Sequence, residues 1–533
     1  MEMNLSGIRK ALGGWISGTS EAPPRIRRRG FDAAATGRSS SDWSSTEVHI
    51  DSDLRSSIKA VRARARYLSH NNDYAKRFVS LVRSNVVGPN GFKLQVQASD
   101  YRMVQGAWKL VQDKLANQIL ENAFYEWSKP NNCTVSGRQS FRALCDMAMR
   151  YAARDGEFFV RMVRMKNVPY GFRLQFVDPM NVDDQYTTRL QSGNVVKMGV
   201  EMDLNRRPVA YYVKKTKPET EIYGYMAQGG DYERIPASEM IHGYDQEYEG
   251  QTRGISWMVQ SMWRLKMLQG YEEAAVVKAR VAASDMAYFI PGVDSNEQGT
   301  MQGNAVDADG NVVMDAEPGG MRTLPAGWDV KTWGHDFPSQ QHEMFVNGTL
   351  RGISSGLGVS FNTFANNLEK VNYSSIRAGV IDERELWKSV QIWFTESLLE
   401  PVFGAWLEMA ILTDSVNLPM SKYDKFNQPK WSGRRWPWVD PEKDVRAQLI
   451  SLEAGLTTRA KILGEQGEDL EETLSALEEE KKLIEQYGLE FTTNTNPAPP
   501  AQDKPEPDED DTVSPNEKKF IEELLGNHNG NGH

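Results

Sequence analysis

The sequence predicts a mainly helical α+β fold. Alternating, hairpin-like segments cluster before residue 250, and long amphipathic stretches dominate after it. One helical stretch near residue 350 carries a glycine at every fourth position. With 533 residues, 40% hydrophobic and 25% charged, the chain is globular and too long for one core. About three or four domains are expected at that size.

Residues 1–52, rich in Gly, Ser, Arg and Pro, read as a flexible basic arm. Helical patterning begins at Leu54 and breaks at Asn71 or Asn72, either of which suits an N-cap for the next helix, ending before Gly88. GFKLQVQ reads as a strand, residues 102–127 as a helix, and SFRALCDMAMRYAARDG as another helix. GEFFVRMVRM and YGFRLQFVD alternate as a hairpin. NVVKMGVEMD and PVAYYVKK form a second hairpin around LNRRP.

Residues 255–284 read as one long helix with Met258, Met262, Leu265, Leu268, Tyr271 and Ala275 on a stripe. About fifty residues rich in Gly, Asp and Asn follow, flanked by the strand candidates MAYFIP and WDVKTW. The next helix sets Val346, Leu350, Ile353 and Leu357 on one face and Gly348, Gly352 and Gly356 on another. Each interior glycine costs about 1 kcal/mol against alanine, so the stripe implies close approach of another backbone. An Asn-rich loop separates this helix from a last long one, about Tyr373 to Thr413, which Pro401 should kink or end. Residues 441–487 form a helical cluster with a glycine cap in EAGLTT and a stripe of Leu470, Leu474, Leu477 and Ile484. Residues 492–516 read as a disordered linker, followed by a short amphipathic candidate, EKKFIEELL.

The net charge of -10 argues against a general nucleic-acid binder. Residues 1–90 hold about 15 Lys/Arg against 8 Asp/Glu, and residues 464–533 about 19 Asp/Glu against 5 Lys, so the ends differ in sign. Arg62, Arg64 and Arg66 fit a solvated helix face or a nucleic-acid contact equally well. The Arg25 to Arg29 cluster is the better electrostatic candidate.

No Walker A motif and no HExxH occur. Cys133 and Cys145 supply only two of a structural zinc's four soft ligands and read as reduced core thiols. No metal or cofactor is expected. No run of about 18 apolar residues exists, and no membrane association is expected. Gly352 to Gly356 fits G-x-S-x-G around Ser354, but the nucleophile elbow needs a preceding strand, and here the serine lies inside a helical stripe.

Four segments in order resemble the portal proteins of tailed bacteriophages, lambda family. They are RARYLSHNNDYAKRFVSLVRSNVVG, YEGQTRGISWM, SSGLGVSFNTFANNLEKVNYSSIRAG and LISLEAGLTTRAKILGEQGEDLEE. The resemblance spans residues 54 to about 488 and implies a portal fold, with an α+β wing, a two-helix stem, a small clip with short strands, and a helical crown. Mapped onto this chain, the wing is 53–254, the stem helices 255–284 and 338–357, and the clip 285–337. The tunnel loop is 358–373, the long wing helix and return 374–440, the crown 441–490 and the acidic tail 491–533.

The resemblance further implies a ring of about twelve subunits in the virion, with no enzymatic activity of its own. Duplex DNA would face Asn362, Asn366, Asn367, Lys370 and Asn372. Gly348, Gly352 and Gly356 would pack the stem, and Arg253 and Gly254 would form a hinge where the stem begins. Expected partners are the terminase large subunit, a head-completion or adaptor protein, and major capsid and scaffold protein during assembly in the host cytoplasm. The tail after residue 490 matches no family motif. The competing readings are a DNA-binding adaptor using the basic arm and a serine hydrolase using Ser354.

Overall fold

A computed structural model describes residues 44–104, 107–215, 231–283, 288–291, 305–306, 312–313, 328–331, 340–369, 373–436, 441–466 and 470–488. The chain divides into two compact units, one up to Val439 and one from Asp440. The basic arm up to residue 43 and the tail after 488 lie outside the described residues.

Two helices open the first unit, α1 (Ile50–Asn71) and α2 (Asp73–Val86). Asn72, not Asn71, caps the second, its side chain accepting from Ala75 N at 3.0 Å. Strand β1 (Lys93–Val96) pairs with a strand more than 300 residues away, Pro429–Ser432. The segment expected to be helical from residue 102 is instead an antiparallel pair, β2 (Ser99–Val104) and β3 (Ala107–Gln112). The helix α3 begins only at Lys114 and runs to Trp127. Tyr101 and Met103, and Trp108 and Leu110, recur at every second position, which is the strand period. Asp113 starts the helix by accepting from Ala116 N.

Helix α4 (Phe141–Asp155) ends at Gly156, whose φ of 91° closes the turn into β4 (Glu157–Arg164). β4 pairs with β5 (Phe172–Val177) as the expected hairpin, and β11 (Met240–Tyr244) flanks β4 on its other edge. A five-strand sheet runs β10 (Tyr232–Pro236), β9 (Pro208–Lys214), β8 (Val200–Met202), β7 (Val195–Lys197) and β6 (Thr188–Arg189). NVVKMGVEMD is therefore two strands rather than one. Met198 and Gly199 turn between them with φ of 48° and 81°, the paired positive values of a tight hairpin turn.

The long helix begins at Met262 rather than 255. α5 (Met262–Ala283) follows a turn in which Met258 O accepts from both Ser261 N and Met262 N. Met258, Met262, Leu265, Leu268 and Ala275 are buried as the stripe predicts, while Tyr271 is half exposed. Within the region expected as the clip, strands Tyr288–Pro291 and Trp328–Lys331 pair antiparallel, as do Ala305–Val306 and Val312–Val313. The remainder of that region lies outside the described residues.

Helix α6 (Gln340–Leu357) precedes a five-residue helix α7 (Phe361–Ala365) and the long α8 (Tyr373–Phe394). Pro401 does not end the last helix. Its missing N–H is absorbed by a π-helical turn, Thr395–Leu399, in which Glu400 N bonds back to Thr395 O, and α9 (Glu400–Leu412) continues from there. α9 buries Val402, Phe403, Trp406 and Leu407 in one aromatic core with Phe124, Trp127 and Phe141.

The second unit, within its described residues, consists of α10 (Pro441–Glu453), α11 (Arg459–Gln466) and α12 (Leu470–Tyr487). Gly455, at φ 69°, caps α10, with Leu456 N bonding to Ser451 O as expected for EAGLTT. Leu474 and Leu477 of the predicted stripe are about half exposed. Among the described residues no helix is long and apolar enough to cross a membrane.

Candidate functional site

The segment from Gly358 to Glu369 is held from two sides. Gly358, at φ 67°, closes α6, and Val359 N bonds to Ser354 O. Ser360 then caps the next helix. Its hydroxyl donates to Glu383 Oε2 at 2.6 Å, while Glu383 Oε1 accepts from the Trp387 indole at 3.1 Å. Glu383 thus ties the segment to α8. On the other side Phe364 is buried, with its ring centroid 5.9 Å from that of Tyr74, and Arg77 of α2 donates to Thr363 O at 3.2 Å.

Of the residues expected to face DNA, Asn362 lies on α7 and is half buried. The expected loop is therefore partly helical. Asn366 ends that helix in the left-handed conformation (φ 52°) and is exposed. Asn367 is half buried and spends its side-chain oxygen on Glu369 N. Lys370 and Asn372 lie outside the described residues.

The glycine stripe separates into three situations. A Cβ on Gly356 would come within 2.5 Å of Ser261 Oγ, a buried hydroxyl that donates to Ile353 O at 3.1 Å. One on Gly352 would come within 2.5 Å of the Arg264 guanidinium, the far end of a flexible side chain, and one on Gly348 would meet nothing within 4 Å. Within the chain the close neighbours are therefore side chains, not the backbone expected. Ser354, between them, donates to Arg351 O inside the helix. No strand leads into it, so the elbow geometry is missing.

Arg253 and Gly254, expected as the hinge where the stem begins, lie in a buried network of contacts. Arg253 is fully buried, and its guanidinium donates to Glu157 and to the carbonyls of Met198 (2.7 Å), Val182 and Pro179 (both 3.3 Å). Glu157 also accepts from Arg62 at 2.9 Å, His242 at 3.0 Å and Gly254 N at 3.1 Å. A Cβ on Gly254 would overlap Gly156 O, and one on Gly156 would overlap the Ile255 backbone, so the two glycines let the chain segments touch. Next to this cluster, Asp51 accepts from Thr252 N and Oγ1, both at 2.9 Å, and from Lys197 at 3.0 Å. Residues 251–254 thus bind the start of α1, the start of β4 and the β7–β8 turn into one body.

Burial pushes the Glu157 carboxyl upward, but Arg253, His242 and Arg62 outweigh it and hold it well below the usual range. Burial lowers His242 below its ordinary value against the opposing pull of Glu157. The imidazole is therefore neutral near pH 7 and its contact with Glu157 is a hydrogen bond rather than an ion pair. Arg62 and Arg66 are internal as well. Arg66 bonds Asp155 at 2.6 Å and Asp178 at 2.7 Å, leaving Arg64 alone of the three exposed to solvent. Cys133 and Cys145 are buried free thiols, burial pushing the first up to about 12 and the second higher. Among the described residues no cluster of His, Cys, Asp and Glu is arranged to hold a metal.

The family model for phage portal proteins, lambda family, matches residues 36–391. The chain is 30% identical to a probable portal protein of Halomonas phage phiHAP-1, over 96% of this chain and 98% of the relative. It is 24% identical to portal protein B of Escherichia phage lambda, over 81% of this chain and 85% of that one. Among solved structures it is similar to a chain in the virion of a native gene transfer agent particle. There the identity is 12%, the TM-score 0.39, and the coverage 78% of this chain and 93% of the other.

Proposed function

The chain belongs to the lambda family of phage portal proteins, and we propose from this that about twelve copies form a ring at one capsid vertex, with duplex DNA passing through its centre. In this proposal α5 and α6 are the stem, residues 285–337 the clip and 441–490 the crown. The ring docks terminase during packaging and head-completion protein afterwards, and nucleates assembly of coat and scaffold.

The observation that carries the proposal is the double tether of residues 358–369, to α8 through Glu383 and to α2 through Phe364 and Arg77. The tether gives a polar segment a fixed position while leaving Asn366 exposed. Asparagine amides meet phosphate without adding charge, and a net -10 on every subunit opposes tight binding, which suits a channel through which DNA slides.

Deletion of residues 362–371 tests the proposal. Particles are expected to assemble with rings intact while DNA packaging or retention falls. Unimpaired packaging removes this segment from the channel.

A further inference from the structure

We infer that the outward face of the β2–β3 hairpin is a subunit interface, packing against a second copy of this chain in the assembled ring; this rests on the ring proposed above. The strand register sets Tyr101 opposite Leu110 and Met103 opposite Trp108, four large apolar side chains on one face. Their exposures are 71%, 61%, 63% and 68%. A two-stranded ribbon ordinarily turns such a face inward and its polar face to water.

Here the orientation is fixed the other way. Asp100, on the opposite face, is ion-paired to Lys425, which also holds Asp113 at 2.6 Å. Lys425 is only 12% exposed, so the Asp100 side of the ribbon is the one fastened to the body. Among the described residues β2 and β3 pair only with each other, and nothing covers their apolar side.

Area points to the occupant. At about 150–250 Å² for a whole aromatic side chain, with some two thirds of each exposed, Tyr101 and Trp108 present roughly 200–350 Å², and Met103 and Leu110 extend the same patch. With all four side chains the patch falls within the roughly 300–600 Å² of the largest apolar patch on a typical monomer, and reaches about half of one side of a standard protein–protein interface. A ring built head to tail needs two different faces of this size on each subunit, and a second copy supplies the partner face without any other protein.

The test places a photo-crosslinking amino acid at Trp108 of the full chain and irradiates purified rings. The proposal expects a product joining two copies, assigned by mixing isotope-labelled and unlabelled protein. It also expects the M103S/W108S double variant to raise the concentration for half-assembly by at least about tenfold. The variant's unfolding midpoint should match wild type, because these side chains are exposed.

Three results in intact rings overturn this surface alone. They are a crosslink within one copy, a crosslink to a different protein in whole particles, or no crosslink while a dye attached at position 108 stays open to iodide quenching. A wild-type chain that never forms rings overturns the ring proposal and this surface together.

Discussion

Arg253 donates three hydrogen bonds to Glu157, at 2.6, 2.8 and 3.1 Å, and neither side chain is exposed to solvent. The two residues are 96 positions apart, yet they join the segment leading into α5 to the central strand of the β4 sheet. Removing one partner of such a pair leaves a buried charge uncompensated. Glu157→Gln is therefore expected to destabilise the first unit by about 3–5 kcal/mol, measured by denaturant unfolding. A loss below about 1 kcal/mol means the pair is not holding these elements together.

The same cluster sets a pH dependence. Both Glu157 and His242 have lowered folded values, so in each case the unfolded chain takes up protons first as pH falls. The His242 contribution is complete above the unfolded value of 6.5 and is lost below it. That of Glu157 is complete above 4.5 and is lost as pH falls further. Stability should decline in two limbs, the first below about pH 6.5. His242→Gln should remove that limb and leave the acidic one, checked by unfolding midpoints from pH 8 to 4.

Substitutions along the glycine stripe should separate into three outcomes. Gly356→Ala pushes against Ser261 and its bond to Ile353 O, and should cost about 1–3 kcal/mol. Gly352→Ala displaces only the end of Arg264 and should be near neutral, since helix propensity returns about 1 kcal/mol. Gly348→Ala meets open space in the single chain and should stabilise it slightly. If Gly348 faces a neighbouring stem, the same change weakens ring formation, and unfolding of the monomer together with assembly yield separates the two effects.

Glu383→Ala removes the acceptor of Ser360 and of the Trp387 indole. The expected cost is about 1–3 kcal/mol. Amide exchange in residues 358–369 should rise more than in α2 or α9, measured by hydrogen–deuterium exchange mass spectrometry. Equal protection in mutant and wild type would show that Phe364 and Arg77 suffice to hold the segment.

What was legible in the sequence was local and periodic. The β4–β5 hairpin, the stripe Met258 to Ala275 and the Gly455 cap each follow from repeats within about twenty residues. Two features were missed because their signal is unusual or brief. Met198 takes a positive φ that an unbranched apolar residue rarely adopts, and the β2–β3 ribbon is too short to override the helical pattern that follows it. The buried network around Glu157 was invisible for a different reason. Arg62 and Arg66 read as surface charge, and nothing near Glu157 announces three partners arriving from residues 62, 242 and 253. The segment 358–369 was legible as polar, but its tether depends on Glu383, twenty-three residues beyond Ser360.

The ring is the central claim, and imaging the purified full-length protein by negative-stain electron microscopy under assembly conditions tests it most directly. The account predicts closed rings of about twelve subunits around an open channel. Uniform monomers or dimers at every concentration and salt tested would contradict it.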